Sequence, residues 1–319
     1  MRLCRYRHRD QILAGLYDEQ HIVPLAGGAK AYADATHENL KLPASENLLD
    51  YLPHGEHFAA AQKVARWVEN LAGKSLPEGT TPTSAVELLA PIPRPNKLLL
   101  LAGNYAAHIQ EGGGQAAERA ETFPYVFLKP ASTTLNDPGK PVYIPKVSPQ
   151  QIDWECELAV VIGKRVKHAK EADALEYVAG YTVVNDISDR HFKPNPGRKP
   201  RKNDDFFDWL HGKWADSFCP CGPCVTSADA IPDPQKLHLK LTLNGETRQD
   251  ASSAQQIFPV AAVIEFISSF VTLEPGDIIS TGTPAGVGKA TGTFLKPGDR
   301  VVASISSIGE LVSPIAAEA

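Results

Sequence analysis

Proline and glycine cut this chain into short pieces. Among its 319 residues are 26 prolines and 24 glycines, many of them clustered as turn-like punctuation between short apolar runs. Long helices do not survive such punctuation, so the pattern points to many short strands and few helices. A chain of this length corresponds to about two domains at ~150 residues each. It can bury a large core without disulfide or metal staples.

Ile12-Leu13, Leu16 and Ile22-Val23-Pro24-Leu25 read as pieces of a small sheet. Val64, Trp67, Val68 and Leu71 recur at helical spacing, which predicts a helix from Phe58 to Leu71 with a stop at Gly73. The stretch Ser75 to Pro95 holds Pro77, Pro82, Pro91, Pro93 and Pro95 and reads as a linker. The expected division is a small N-terminal domain with its linker, residues 1–92, followed by a larger body, residues 93–319. In the larger body, strands are expected at Lys97–Ala102, Tyr125–Leu128, Leu158–Ile162 and Val178–Val184. Asn244-Gly245 marks a hairpin turn between Leu237–Leu243 and Glu246–Arg248. A helix is expected over Val260–Phe270, and three short strands near Asp277–Ser280, Arg300–Ile305 and Glu310–Val312.

The net charge of -5 argues against a nucleic-acid binder, which usually carries a strongly basic balance. Phe258 to Leu273 is too short to span a bilayer and is broken by Glu265. The start Met1-Arg2-Leu3-Cys4-Arg5 carries charge where a signal peptide has an apolar core, so a cytoplasmic protein without membrane contact is expected. Cys219, Cys221 and Cys224 cluster, but no second ligand pair stands nearby for zinc, so buried inert thiols are expected. The Gly-rich stretch Gly282–Gly292 misses the phosphate-loop spacing, and no Gly-x-Ser-x-Gly elbow is present.

Asp153-Trp154-Glu155-Cys156-Glu157 leads into an apolar strand. Side chains alternate along a strand, so Glu155 and Glu157 share a face. Two like charges there are relieved most simply by a hard divalent cation, although a solvated strand edge is the plainer reading of the motif alone. Asp186, at the end of the next expected strand, closes a three-carboxylate site if the two strands pair. His108 and Glu111 stand three residues apart on an expected helical turn, where a carboxylate can orient an imidazole for general-base work. Arg190 to Lys202 is a basic loop followed by Asp204, Asp205 and Asp208, either a solvated loop or a lid.

Several segments in this order resemble the fumarylacetoacetate hydrolase family: Gly103-Asn104-Tyr105-x-x-His108-x-x-Glu111, Phe127-Leu128-Lys129-Pro130, Glu155-x-Glu157-Leu158, Gly180-Tyr181-Thr182-x-x-Asn185-Asp186, Gly212-Lys213, and Thr281-Gly282-Thr283-Pro284-x-Gly286-Val287-Gly288. The resemblance spans roughly residues 95–315. It implies an α+β, mainly β fold: a mixed β-roll or sandwich catalytic domain with a small N-terminal α+β domain. It also implies a homodimer and an oxo-acid substrate. By the same resemblance, Glu155, Glu157 and Asp186 are the ligands of Mg²⁺, with Mn²⁺ or Ca²⁺ as alternatives. His108, Glu111 and Lys213 are the catalytic residues, and Tyr105, Lys129, Arg190 and Thr283 are substrate-binding.

The implied activity is hydrolysis of a C–C bond in a 1,3-diketo acid, such as an acylpyruvate or fumarylpyruvate, to give a 2-oxo acid. Retention of both His108 and Glu111 favours this reading. The same enolate-stabilising site serves a decarboxylase or a keto–enol isomerase of an oxo-diacid, and a metal-binding relative without catalysis is a further alternative. One departure stands out. Members of the family commonly carry Asp after the Arg at position 190, and here His191 takes its place, which leaves the usual supporting salt bridge an open question for the structure.

Overall fold

The computed structural model describes residues 1–71 and 75–319. The chain is α+β and mainly β. A 12-stranded sheet forms its backbone, and a 5-stranded sheet and a 2-stranded ribbon accompany it.

The strand Cys156–Ile162 lies well inside the large sheet and is buried at every residue. It pairs antiparallel with Val178–Asn185 on one side and with Ile278–Ser280 on the other. Its alternation explains the unbroken apolar run in the sequence. Leu158, Val160 and Ile162 enter one core cluster, while Ala159 and Val161 enter a second on the opposite face. A strand packed on both faces has no polar side to show. Glu155 and Glu157 share parity with Ala159 and Val161, so their charges are carried into the molecule rather than to its rim.

Val178–Asn185 pairs in turn with Cys219–Ser227, and Ile278–Ser280 runs parallel to Leu98–Ala102, which pairs with Tyr125–Leu128. The hairpin at Asn244-Gly245 joins His238–Leu243 to Glu246–Ser252, and both turn residues have positive φ, 52° and 86°. That is the geometry an Asn-Gly turn supplies at low cost.

The early strands do not form a separate sheet. Arg2–His8 pairs antiparallel with Cys219–Ser227 and so continues the large sheet. The proline-rich stretch expected to be a linker is woven in as well. Glu87–Leu89 pairs with Arg2–His8, Thr81–Pro82 closes the sheet edge beside His21–Pro24, and Leu89, Ala90 and Ile92 are buried. Proline is tolerated at such an edge because its missing N–H faces no neighbour.

The helix Phe58–Glu69 buries Ala61, Val64 and Ala65, and the proposed stop at Gly73 lies outside the described residues. A second helix, Leu25–Thr36, has no counterpart in the sequence reading. Its Gly27-Gly28 pair speaks against a helix, yet a Cβ at Gly28 would stand 3.1 Å from Val64 Cγ1 and 3.3 Å from Val23 Cγ1, so the packing asks for glycine there. Among the described residues, no helix is long and apolar enough to cross a membrane.

All five cysteines are free and buried, and burial pushes their thiols above the ordinary range. Cys219 and Cys221 face one core cluster and Cys224 the other, so the three do not converge on one ion.

Candidate active site

Strand pairing assembles the carboxylates. Cys156 stands opposite Asn185, the Asp186 N–H donates to the Glu155 carbonyl at 2.9 Å, and the Asn185 side chain accepts from the Glu155 N–H at 3.0 Å. This locks Asp186 beside the entrance of the central strand. Glu155, Glu157 and Asp186 are all buried, and each offers an oxygen within 4.8 Å of the others.

Two lysines enter the cluster. Lys213 Nζ donates to Glu155 at 3.0 Å, to Asp186 at 2.6 Å and to the Ser188 hydroxyl at 2.9 Å. Lys129 Nζ donates to Asp186 at 2.5 Å and to the carbonyls of Ile187 and Phe218 at 3.0 and 2.6 Å. The electrostatics divide the two glutamates. Burial raises Glu155, but Lys213 and Arg190 overcome it and hold this carboxyl well below the usual range. Glu157 goes the other way, because burial and then the charges of Asp186 and Glu155 push it up.

One Glu157 oxygen accepts from Ser280 Oγ at 2.5 Å and from the Gly282 N–H at 3.1 Å, while its Oε1 has no hydrogen-bond partner. A buried carboxylate oxygen without a partner calls for an explanation, and an ion is one. An all-oxygen set of three acids suits a hard cation such as Mg²⁺ or Mn²⁺. The residues present therefore fit a divalent metal.

The base pair is assembled separately. His108 and Glu111 lie on the short helix Ala106–Glu111, with His108 Nδ1 2.8 Å from Glu111 Oε1. The other Glu111 oxygen accepts from the Gly286 N–H at 2.8 Å. Glu111 accepts at both oxygens, so Nδ1 of His108 carries the proton and Nε2 is the nitrogen left to work. Asn104 fixes the start of this segment. Its side chain donates to the carbonyls of Phe258 and Thr281 at 3.1 and 2.8 Å and accepts from the Phe258 N–H at 2.8 Å.

Both groups reach a single cavity of about 950 Å³: His108 and Glu155 line its wall together with Arg190, Lys213 and Thr283. Tyr105 and Lys129 are not in that wall. Tyr105 is 1 % exposed and pairs through its backbone with Gln256, and Lys129 spends its ammonium on Asp186 and two carbonyls. Thr283 does reach the cavity, but its hydroxyl donates to the Cys156 carbonyl at 3.1 Å and accepts from Gln249 at 2.8 Å.

Arg190 is held by carboxylates despite His191. Its Nε donates to Asp153 at 2.8 Å and its Nη2 to Glu155 at 2.6 Å. The departure at His191 thus leaves Arg190 ion-paired, with Asp153 supplied from the strand that pairs with Ser188–Asp189 in the small ribbon. Asp153 also accepts from the backbone N–H groups of Gly288 and Lys289 at 2.6 and 3.0 Å. It ties the 281–289 loop to the metal cluster, a role the sequence did not signal. Gln249 was missed too. It accepts from the Cys156 N–H at 2.9 Å and donates to Thr283 and the Pro284 carbonyl, each at 2.8 Å, yet it lies in the second strand of a hairpin with no motif around it.

Removing Asp153 leaves a buried guanidinium short of a counter-charge and two loop N–H groups unmade. Asp153→Ala is expected to cost about 3–5 kcal/mol of unfolding free energy, read from denaturant midpoints. A loss under about 1 kcal/mol would mean that the contact contributes no more than a surface pair.

Buried carboxylates that fit a cation share one cavity with an oriented histidine, an arrangement suited to metal and general-base chemistry. The chain belongs to the fumarylacetoacetate hydrolase family, and residues 97–316 match the model of the fumarylacetoacetate (FAA) hydrolase C-terminal region. It is 35% identical over 314 residues to the mitochondrial oxaloacetate tautomerase Fahd2a of Rattus norvegicus, a match covering 98% of this chain and 92% of the relative. Maleylpyruvate hydrolase from Sphingobium sp. SYK-6, solved with manganese(II) and pyruvate, superposes with a TM-score of 0.70 at 27% identity, covering 100% of both chains. A 5-carboxymethyl-2-hydroxymuconate delta-isomerase from Mycobacterium smegmatis gives 0.69 at 26% identity, again over 100% of both chains.

Proposed function

We propose that this enzyme interconverts the keto and enol forms of a 2-oxo acid, with a divalent cation at Glu155, Glu157 and Asp186 and with His108 moving the proton. The observation that carries the reading is that His108, oriented by Glu111, and Glu155 of the carboxylate cluster line one cavity. The full-length likeness to a tautomerase supports it. The bound cation supplies Lewis acidity that stabilises enolate charge on the 2-oxo group.

The chain's own groups do the rest. His108 Nε2 takes a proton from the carbon beside the carbonyl, while Glu111 holds the ring in place and offsets the imidazolium charge that forms. Gly286 keeps Glu111 aimed through its N–H. Lys213, whose pKa is lowered by burial but raised more strongly by Asp186 and Glu155, stays a cation at the site. His108 then returns the proton to carbon or to oxygen, which sets the direction.

Hydrolysis of a C–C bond is the second reading. It uses the same His108 to take a proton from water, and the likeness to maleylpyruvate hydrolase supports it. Enol-enriched oxaloacetate and phenylpyruvate given to the Mg²⁺-loaded protein separate the two readings, and also separate decarboxylation. The expected result, with at least one of these acids, is rapid loss of enol absorbance with its carbon skeleton retained by mass spectrometry. Cleavage of diketo acids without any enolase-type turnover would favour hydrolysis. Metal binding with no turnover of either kind would favour the non-catalytic relative.

A further inference from the structure

The cavity lining is of two kinds. His108, Glu155, Arg190, Lys213 and Thr283 make it polar beside the carboxylate cluster. The rest of its wall is apolar and aromatic, built by Phe123 and Tyr125, by Phe206 and Trp209 of the helix Asp204–His211, and by Phe266 and Phe270 of the helix Val260–Phe270. Three separate segments bring rings to one space. Tyr125, Phe206 and Phe270 are 64%, 55% and 57% exposed, which leaves an aromatic mouth open to solvent.

The same wall is poor in free positive charge. Among the described residues that line it, Arg190 and Lys213 are the permanent cations. Arg190 is bound to Asp153 and Glu155, and Lys213 to Glu155, Asp186 and Ser188. Beyond Arg190, the basic loop before the aromatic helix adds no cation to the lining. Arg198 grips Asp208 at 2.8 and 2.5 Å and Asp204 at 3.2 Å, and Arg201 is 3.2 Å from Asp204. The helix thus pairs Asp204 and Asp208 with the loop's arginines and gives Phe206, Trp209 and Leu210 to the cavity. Arg119 and Lys170 belong to a separate cleft that shares Phe123 and Phe266 with the cavity, and Arg119 is paired with Glu171.

A carboxylate on the far end of a substrate would enter this wall without a counter-charge, which is costly. An aryl or alkyl tail would instead leave water and meet ring edges. Resting on the enolisation reading, we infer that the substrate is a 2-oxo acid with an uncharged, apolar tail, and that short oxo-diacids are poor substrates. A four-carbon diacid also fills little of the 950 Å³ available.

Phenylpyruvate and oxaloacetate test this on the Mg²⁺-loaded protein, scored as kcat/KM for keto–enol exchange. The expected ratio favours phenylpyruvate at least about tenfold. Phe206→Arg supplies the missing cation and is expected to lower that ratio at least about tenfold, while Phe270→Ala lowers it mainly through KM for phenylpyruvate. Both positions are exposed, so the fold tolerates the changes. In metal-free protein, phenylpyruvate is expected to perturb the fluorescence of Trp209 and Trp214 at lower concentration than oxaloacetate. Turnover that favours oxaloacetate, with a ratio unmoved by either substitution, overturns the tail assignment and leaves enolisation standing. An unmoved ratio together with a lower solution mass for Phe206→Arg overturns it in favour of a second copy covering the mouth. Absence of exchange with both acids overturns the enolisation reading itself.

Discussion

Glu157→Gln is expected to abolish metal-dependent activity and, in metal-free protein, to leave the fold as stable as before or more so. Both outcomes follow from one side chain. Glu157 is fully buried, and it is pushed up by burial first and then by Asp186 and Glu155. A carboxyl whose folded pKa is raised is protonated more readily in the folded chain than in the unfolded one. Its contribution to stability is fully present below the unfolded value of about 4.3 and is lost as pH rises through the raised folded value. Glutamine removes that loss, so the metal-free variant keeps more of its stability at pH 8 than the native chain does.

Metal binding reverses the comparison. At a metal concentration about 100 times Kd, the native protein gains about 2.7 kcal/mol. Loss of a groups-only support for a ligand already weakens metal affinity about 10–100-fold, and loss of a ligand oxygen is expected to do at least as much. Thermal melts with and without Mg²⁺ read both effects. A variant that binds metal as the native chain does would remove Glu157 from the metal site.

His108→Ala is expected to lower kcat by about 10²–10⁴-fold while leaving the Mg²⁺-induced rise in Tm intact. The imidazole is not one of the three clustered acids and is held by Glu111 at 2.8 Å and, through it, by Gly286. Glu111→Gln keeps an oxygen that can accept from Nδ1 but loses the charge that offsets the imidazolium. It is expected to fall between the native enzyme and His108→Ala, with its pH–rate profile displaced. Equal kcat in His108→Ala and the native enzyme would assign the proton transfer to another group.

The parts of the site that were legible in the sequence are those in which chemistry and local geometry coincide. Glu155 and Glu157 sit two apart on a strand, so period-two alternation alone brings them to one face, and Asp186 follows from a simple antiparallel partner. His108 and Glu111 sit three apart on a helical turn. What the sequence hid depends on distant strands. Asp153 reaches Arg190 because the ribbon Ile152–Asp153 pairs with Ser188–Asp189, and nothing local announces that pairing. The aromatic wall comes from three segments, each of which reads alone as an ordinary apolar face.

The fold shows the same division. The strand Cys156–Ile162, the hairpin at Asn244-Gly245 and the helix Val260–Phe270 carry strong periodic or turn signals and were expected. The helix Leu25–Thr36 and the strands inside the proline-rich stretch were not. Their stability comes from partners such as Val64 and Arg2–His8 rather than from propensity.

The central claim is that a cation at Glu155, Glu157 and Asp186 acts with His108 to enolise a 2-oxo acid. Proton NMR in D₂O tests it most directly, by following the hydrogens beside the carbonyl of phenylpyruvate with Mg²⁺-loaded protein. The account predicts fast replacement by deuterium with the carbon skeleton intact, abolished by chelation, by Glu157→Gln and by His108→Ala. Exchange no faster than in buffer, or exchange that persists in all three controls, would contradict it.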